Sequence, residues 1–175
     1  MSSEPKISVL FVCLGNICRS PMAQAVFTHL VILNGLEDRF ETIASAGTAG
    51  YHIGDKPDSR TISTCKKNGV PVNSFAQQVK SSDFDNFDYI LAMDSSNLRN
   101  LIQIKPRQST ATVKLFGEFG DGKIVKDPSW SQYQQCIFIF ITIEQEGFEY
   151  DFKQCVDYSL GLLKSLGFNP TKSID

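Results

Sequence analysis

Charge of one sign is what this 175-residue sequence lacks most: 17 Lys and Arg against 19 Asp and Glu leave a net charge of −2. A surface so near neutrality disfavours bulk attachment to nucleic acid or to an acidic membrane. Long apolar runs are missing too. None approaches the roughly 18 residues of a membrane-spanning helix, and Met1 to Lys6 carries no apolar core of a secretion signal. The expectation is a cytoplasmic protein with neither a nucleic-acid nor a membrane partner. No low-complexity linker or compositional break divides the chain, and its length suits one domain, 1–175, burying about two-thirds of its unfolded surface. A disulfide framework is absent as well. The five cysteines, at 13, 18, 65, 136 and 155, are odd in number and irregular in spacing. In a reducing compartment they are thiols, and one of them can be a nucleophile.

What is present alternates. Ile7 to Val12 is a short β-branched, apolar run that reads as a strand buried on both faces. Ser20-Pro21 opens a helix, with Ser able to cap and Pro suited to the first turn. Met22, Val26, Leu30 and Leu33 give it an apolar stripe, and Asn34-Gly35 stops it. Strands are expected at Phe40 to Ala46, Tyr89 to Met93 and Thr112 to Phe116. Helices are expected at Asp58 to Asn68, from about Ser81 to Asp85, from Asp94 to about Ile104, and at Phe148 to Leu166. This order predicts an α/β fold: a four-stranded parallel sheet flanked by helices on both faces. Ligands in such sheets sit at the carboxyl ends of strands, so the loop after the first strand is where chemistry is expected.

That loop is Cys13-Leu-Gly-Asn-Ile-Cys18, followed by Arg19. A Cys-x5-Arg spacing alone is weak. Its context strengthens it: a buried strand leads in, Gly15 and Asn16 tolerate positive φ, and a helix follows. Such a loop can turn successive N–H groups inward as an anion nest at the positive end of a helix. Arg19 can hold two oxygens of a phosphate. Cys13 at the bottom of a positive cup becomes a thiolate nucleophile, and Ser20 can donate its hydroxyl to the sulfur. Attack on phosphorus needs an acid for the departing oxygen. Asp127-Pro128 is the best candidate, although spacing alone favours an ordinary turn.

Cys13-Leu-Gly-Asn-Ile-Cys-Arg-Ser-Pro21 resembles the active-site loop of the low-molecular-weight protein tyrosine phosphatases, also called acid phosphatases. The likeness covers most of the chain: Ser45-Ala-Gly-Thr48, Tyr51-His-Ile-Gly54, Pro57-Asp-Ser-Arg60, Met93-Asp-Ser-Ser-Asn97, Asp127-Pro128 and Phe148-Glu149 follow in the family's order. It implies a monomeric enzyme without metal or cofactor that acts on phosphotyrosine proteins and small aryl phosphates. Cys13 would form a phosphocysteine, and the N–H groups of Leu14, Gly15, Asn16, Ile17, Cys18 and Arg19 would hold the equatorial oxygens with the Arg19 guanidinium. Asp127 would protonate the tyrosine oxygen and then activate water. Ser45 matches the hydroxyl that holds Asn16, and Asp94 a helix-capping acid near the site. Tyr51 is similar to the aromatic wall of the pocket. His52 follows it as a specificity residue or a plain solvated one. Cys18 resembles a second loop cysteine that forms a disulfide with Cys13 under oxidant. Cys65, Cys136 and Cys155 read as isolated core thiols.

Three departures stand out. Ser74 replaces a common His, so the network behind the loop is changed. Ser129-Trp130 replaces an aromatic pair, with Trp130 still able to form pocket wall. An uncharged apolar segment at about 129–144, including Cys136-Ile-Phe-Ile-Phe-Ile-Thr-Ile143, separates Asp127 from the terminal helix. Its β-prone composition leaves three readings: a strand added to a sheet edge, a cover for a partner, or a dispensable insertion. Two other functions stay open. One is an arsenate reductase of the same fold, which needs a further pair of closely spaced cysteines. The other is a phosphotyrosine-binding protein whose Asp127 the insertion has displaced.

Overall fold

The computed structural model describes residues 5–128 and 137–174. The elements are β1 (Ile7–Cys13), α1 (Arg19–Leu33), β2 (Phe40–Gly47), α2 (Ser59–Lys67), α3 (Asp83–Asn86), β3 (Tyr89–Ala92), α4 (Ser95–Ile104), β4 (Thr112–Leu115) and α5 (Ile137–Ser165). Short 3₁₀ turns at Glu37–Arg39 and Phe116–Phe119 complete them. The strands form one sheet in the order β2-β1-β3-β4, and every pair is parallel. From β1 the chain goes to β2 on one side and later to β3 on the other. A ligand crevice opens at the carboxyl end of a strand where the winding reverses in this way, and here that end is Cys13.

Alternation along β1 sorts its side chains between two cores. Val9, Phe11 and Cys13 join the core built with Val26, Phe27 and Leu30 of α1 and Phe148, Phe152 and Leu162 of α5. Leu10 and Val12 point the other way, onto Phe84 of α3, Ile90 of β3 and Leu101 of α4. Cys13 therefore leaves the sheet on the α1 and α5 side. Edge-on aromatic pairs stiffen that side: Phe11 meets Phe116 at 5.0 Å between ring centres, and Phe116 meets Tyr158 at 5.5 Å.

Two sequence expectations are corrected. Ser20 does not cap α1. The helix starts at Arg19, with Cys18 as N-cap and no side-chain capping bond. The Ser20 hydroxyl lies inside the first turn and is used by the Cys13 sulfur instead. The terminal helix begins at Ile137, not Phe148. Residues 137–144 are its first turns and not an added strand. Lengthening a formed helix gains a hydrogen bond for each residue fixed, and no proline interrupts Ile137–Ser165, so the β preference of isoleucine and phenylalanine yields to context. Residues 129–136, with Trp130 and Cys136, lie outside the described residues.

Candidate active site

Five residues of backbone, Leu14 to Cys18, turn the chain from β1 into α1, and their geometry shapes a cup around one sulfur. Asn16 has φ 57°, the only positive value among the described residues other than glycine. That turn aims its backbone N–H at Cys13 Sγ, 3.3 Å away. Gly15 does not share the left-handed conformation expected of it. A Cβ there would stand 3.0 Å from His52 Cδ2, tight enough that the ring would have to shift. His52 thus packs against the loop, and its Nδ1 pairs with Asp55 Oδ2 at 3.1 Å. A cavity of about 140 Å³ is lined by Cys13, Leu14, Gly15, Ile17, Cys18, Arg19, Tyr51, His52 and Asp127. Tyr51 stands at its rim, 78% exposed. A larger cavity of about 210 Å³ lies between α1 and residues 71–74. Its lining holds no cysteine, arginine or carboxylate, whereas the smaller one brings Cys13, Arg19 and Asp127 together.

Charge is concentrated on one wall. Arg19 is 4% exposed, and its Nη1 donates to Asp94 Oδ2 at 2.6 Å and to the Val125 carbonyl at 3.2 Å. Its Nη2 donates to Asp127 Oδ2 at 3.3 Å. Burial alone would disfavour the guanidinium's charge; the Cys13 sulfur, Asp94 and Asp127 outweigh that and raise its pKa above the ordinary arginine value. Asp94 is itself fixed by capping α4, where its Oδ1 accepts from the Asn97 N–H at 2.8 Å. The segment after Asp127 has not carried that carboxylate away from the cup.

The opposite wall holds hydrogen bonds whose directions follow from two backbone anchors. The Gln77 N–H donates to Asn16 Oδ1 at 2.9 Å, which turns Asn16 Nδ2 toward Ser20 Oγ and Ser45 Oγ, each at 2.9 Å. Gln24 Nε2 donates to the Ile43 carbonyl at 3.3 Å, which leaves Gln24 Oε1 to accept the Ser45 hydroxyl at 2.7 Å. Ser20 Oγ already accepts from Asn16, so its own hydrogen is available to Cys13 Sγ at 3.0 Å. The sulfur thus receives one backbone and one hydroxyl donor. Ser74, at the position where a different network was expected, has a buried hydroxyl with no partner in the structure. Gln24 and Gln77 supply the support instead.

The remaining thiols are placed differently. Burial, followed by Asp58, Cys13 and Asp127, pushes Cys18 up to about 12 and keeps it a thiol. Asp58 is anchored beside it: its N–H donates to the Ile17 carbonyl at 2.8 Å, and Arg60 holds its carboxylate at 2.8 Å and its pKa low. Arg60 in turn lies over the Phe148 ring, 4.8 Å from its centre. Cys65 and Cys155 are fully buried, and burial raises both. They are not isolated from each other, because Cys65 on α2 contributes to the Cys155 shift across the α2–α5 contact.

This geometry sits on a chain with many relatives. A model of the low molecular weight phosphotyrosine protein phosphatases matches residues 8–149. The chain belongs to this family. A curated Schizosaccharomyces pombe protein of that name is 50% identical over 163 residues, covering 91% of this chain and 97% of the relative. The human protein of the same name is 43% identical over 148 residues, covering 78% of this chain and 93% of the relative. Among solved structures, a protein tyrosine phosphatase from Entamoeba histolytica superposes with a TM-score of 0.81 at 34% identity, over 93% of this chain and 97% of that one.

In this family member, the loop residues, Tyr51, His52 and Asp127 line one cavity, while Asn16, Ser20, Ser45 and Asp94 stand behind it. Trp130 is outside the described residues. Sequence reasoning missed Gln24 and Gln77. For Gln24 a signal existed: it lies four residues after Ser20 and so shares its helix face. It also missed Asp151 of α5, buried at 2% exposure, whose helix position gives no hint of what it meets.

Proposed function

We propose that the chain hydrolyses phosphotyrosine and small aryl phosphates through a phosphocysteine at Cys13. The observation that carries the reading is the Cys13 sulfur, held by two donors at the floor of a cavity that Arg19 and Asp127 also line. In the first step Cys13 Sγ attacks phosphorus. The S–P bond forms, the bond from phosphorus to the tyrosine oxygen breaks, and Asp127 gives its proton to that oxygen. The loop N–H groups and Arg19 hold the three equatorial oxygens, and the phosphate takes over the Arg19 Nη2 contact that Asp127 occupies in the free protein. In the second step water attacks phosphorus, Asp127 takes its proton, and the sulfur leaves as a thiolate stabilised by Ser20 and the Asn16 N–H. Tyr51 and His52 form the rim against which the substrate ring rests.

Thiolate chemistry of this kind needs a reducing compartment, and we assign the cytoplasm. Among the described residues no helix is long and apolar enough to cross a membrane. Cys18 lines the same cavity as Cys13, so mild oxidation is expected to join them and thiol to restore activity. Mass spectrometry after peroxide that finds no Cys13–Cys18 linkage rules this out. Arsenate reduction is disfavoured because the remaining described thiols, Cys65 and Cys155, are fully buried.

The test is hydrolysis of para-nitrophenyl phosphate and phosphotyrosine by the full chain, with an arm that supplies arsenate and thioredoxin. Turnover of both esters is expected, and Cys13→Ser should fall to below about 1% of it while still binding an oxyanion. Residual turnover above a few per cent in Cys13→Ser, or arsenate reduction without ester hydrolysis, overturns the reading.

A further inference from the structure

One buried carboxyl beside the site has no part in the chemistry above. On α5, Gly147, Asp151, Gln154 and Tyr158 follow at spacings of four, three and four, so they form one stripe along the helix. That stripe covers the segment that carries Asp127. Tyr158 donates its hydroxyl to Asp121 Oδ1 at 2.6 Å, and Gln154 Nε2 donates to the Ile124 carbonyl at 3.3 Å. At the other end, a Cβ on Gly147 would lie 3.5 Å from Pro128 Cβ. Helix and segment therefore run in opposite directions, and Asp151 falls between the Ile124 and Pro128 contacts, on the stretch of helix that covers the segment carrying Asp127. It is 2% exposed, and its Oδ2 has no hydrogen-bond partner in the structure.

We propose that Asp151 is a positioning residue of the phosphate site: as an uncharged carboxyl behind Arg19 and Asp127 it leaves the guanidinium's charge to the incoming oxyanion, and once ionised it weakens that hold. The proposal rests on the reading of Arg19 as the oxyanion's ligand.

The electrostatics agree in sign. Burial raises Asp151 to about 8; Arg19 on α1 opposes this and Asp127 adds to it. On its own helix Cys155 lies one turn further on, and that thiol, pushed up by burial first, is raised also by Asp151 and by Cys65 of α2. Among the described residues Arg19 is the cation that acts on Asp151, and it already serves Asp94 and Asp127. A third carboxylate on it would compete directly with a bound anion. Below the transition Asp151 is neutral and does not compete. Above it, the site carries one more negative charge and the oxyanion is repelled.

The test uses inorganic sulfate, whose charge is fixed over the range, as a competitive inhibitor of para-nitrophenyl phosphate hydrolysis. Its inhibition constant is measured from about pH 6 to about 9.5 for the full chain and for Asp151→Asn, which is close in shape and never ionises. The ratio of the two constants should change about tenfold across that interval, with its midpoint near the Asp151 transition, as expected for one pK unit of coupling. Parallel curves overturn the proposal alone. Sulfate that does not compete, or whose affinity is unaltered by Arg19→Lys, overturns the site reading and this proposal with it. Should Asp151→Asn not fold, carbon-13 NMR of labelled aspartate carboxyls in the unmutated protein decides. One carboxyl titrating above about pH 7 supports the proposal, and full ionisation of all of them by about pH 6 overturns it.

Discussion

The two walls of the cup are built on different physics. Behind Asn16, position is set by direction: two backbone anchors, Gln77 N–H and the Ile43 carbonyl, fix the amides of Asn16 and Gln24, and the chain of donors ends on the Cys13 sulfur. Around Arg19, position is set by charge: one guanidinium serves Asp94 and Asp127, with Asp151 buried behind them. Hydrogen bonds in a network lose value one donor at a time, about 1 kcal/mol each, whereas an uncompensated buried charge costs several. The charged wall should therefore dominate both the rate and its dependence on pH, and the directional wall should refine the nucleophile.

Arg19→Lys should damage the charged wall most severely. Lysine is a point charge that cannot hold two oxygens and two carboxylates in one plane, so kcat/KM on an aryl phosphate should fall by about 10³. A loss under about tenfold in steady-state kinetics would remove the charged wall from the account. Asp127→Ala comes next. It should cost phosphotyrosine about 10²–10³ in kcat and an activated aryl phosphate much less, because a good leaving group does not need the proton. Equal losses on the two substrates would assign the proton to another group.

Stability separates the walls again. The folded-state pKa of Asp151 is about 8 against an ordinary 3.8. The folded protein thus keeps a proton that the unfolded chain releases, and stability falls as pH rises from about 4 to about 8, then levels off. Asp151→Asn should remove that decline, which linkage puts at about 6 kcal/mol, read from urea unfolding at several pH values. An unchanged pH slope would mean that Asp151 is already ionised in the folded state. The smallest effect belongs to the directional wall. Gln24→Leu removes the acceptor of the Ser45 hydroxyl and should lower stability by about 1 kcal/mol, with kcat reduced by about threefold to tenfold. A full-rate variant would show that Ser45 orients Asn16 without help from α1.

Legibility in the sequence followed locality. Cys13, Arg19 and Ser20 lie on one strand–loop–helix unit, so spacing and residue type were enough to place them. Asp94 announced itself as a cap, whereas Asp127-Pro128 by itself reads as an ordinary turn and gained its role from the likeness to the family. What escaped was decided by contacts between distant segments. Gln24 and Gln77 are ordinary polar residues until Asn16 and Ser45 arrive between them. Gly15 reads as a backbone choice, while what a larger side chain there would meet is the His52 ring. The apolar run 137–143 was read by composition, which favours a strand, while the backbone continues a helix. Asp151 gains its meaning only from the opposite run of α5 and the Asp127 segment.

The most direct test of the account is to trap the covalent intermediate. Asp127→Ala, mixed with a small aryl phosphate and quenched in acid within a turnover, should yield one phosphorylated peptide carrying the phosphate on Cys13. The same experiment with Cys13→Ser should yield none. Phosphate on any other residue, or product release with no adduct on Cys13 at any quench time, would contradict a mechanism centred on that sulfur.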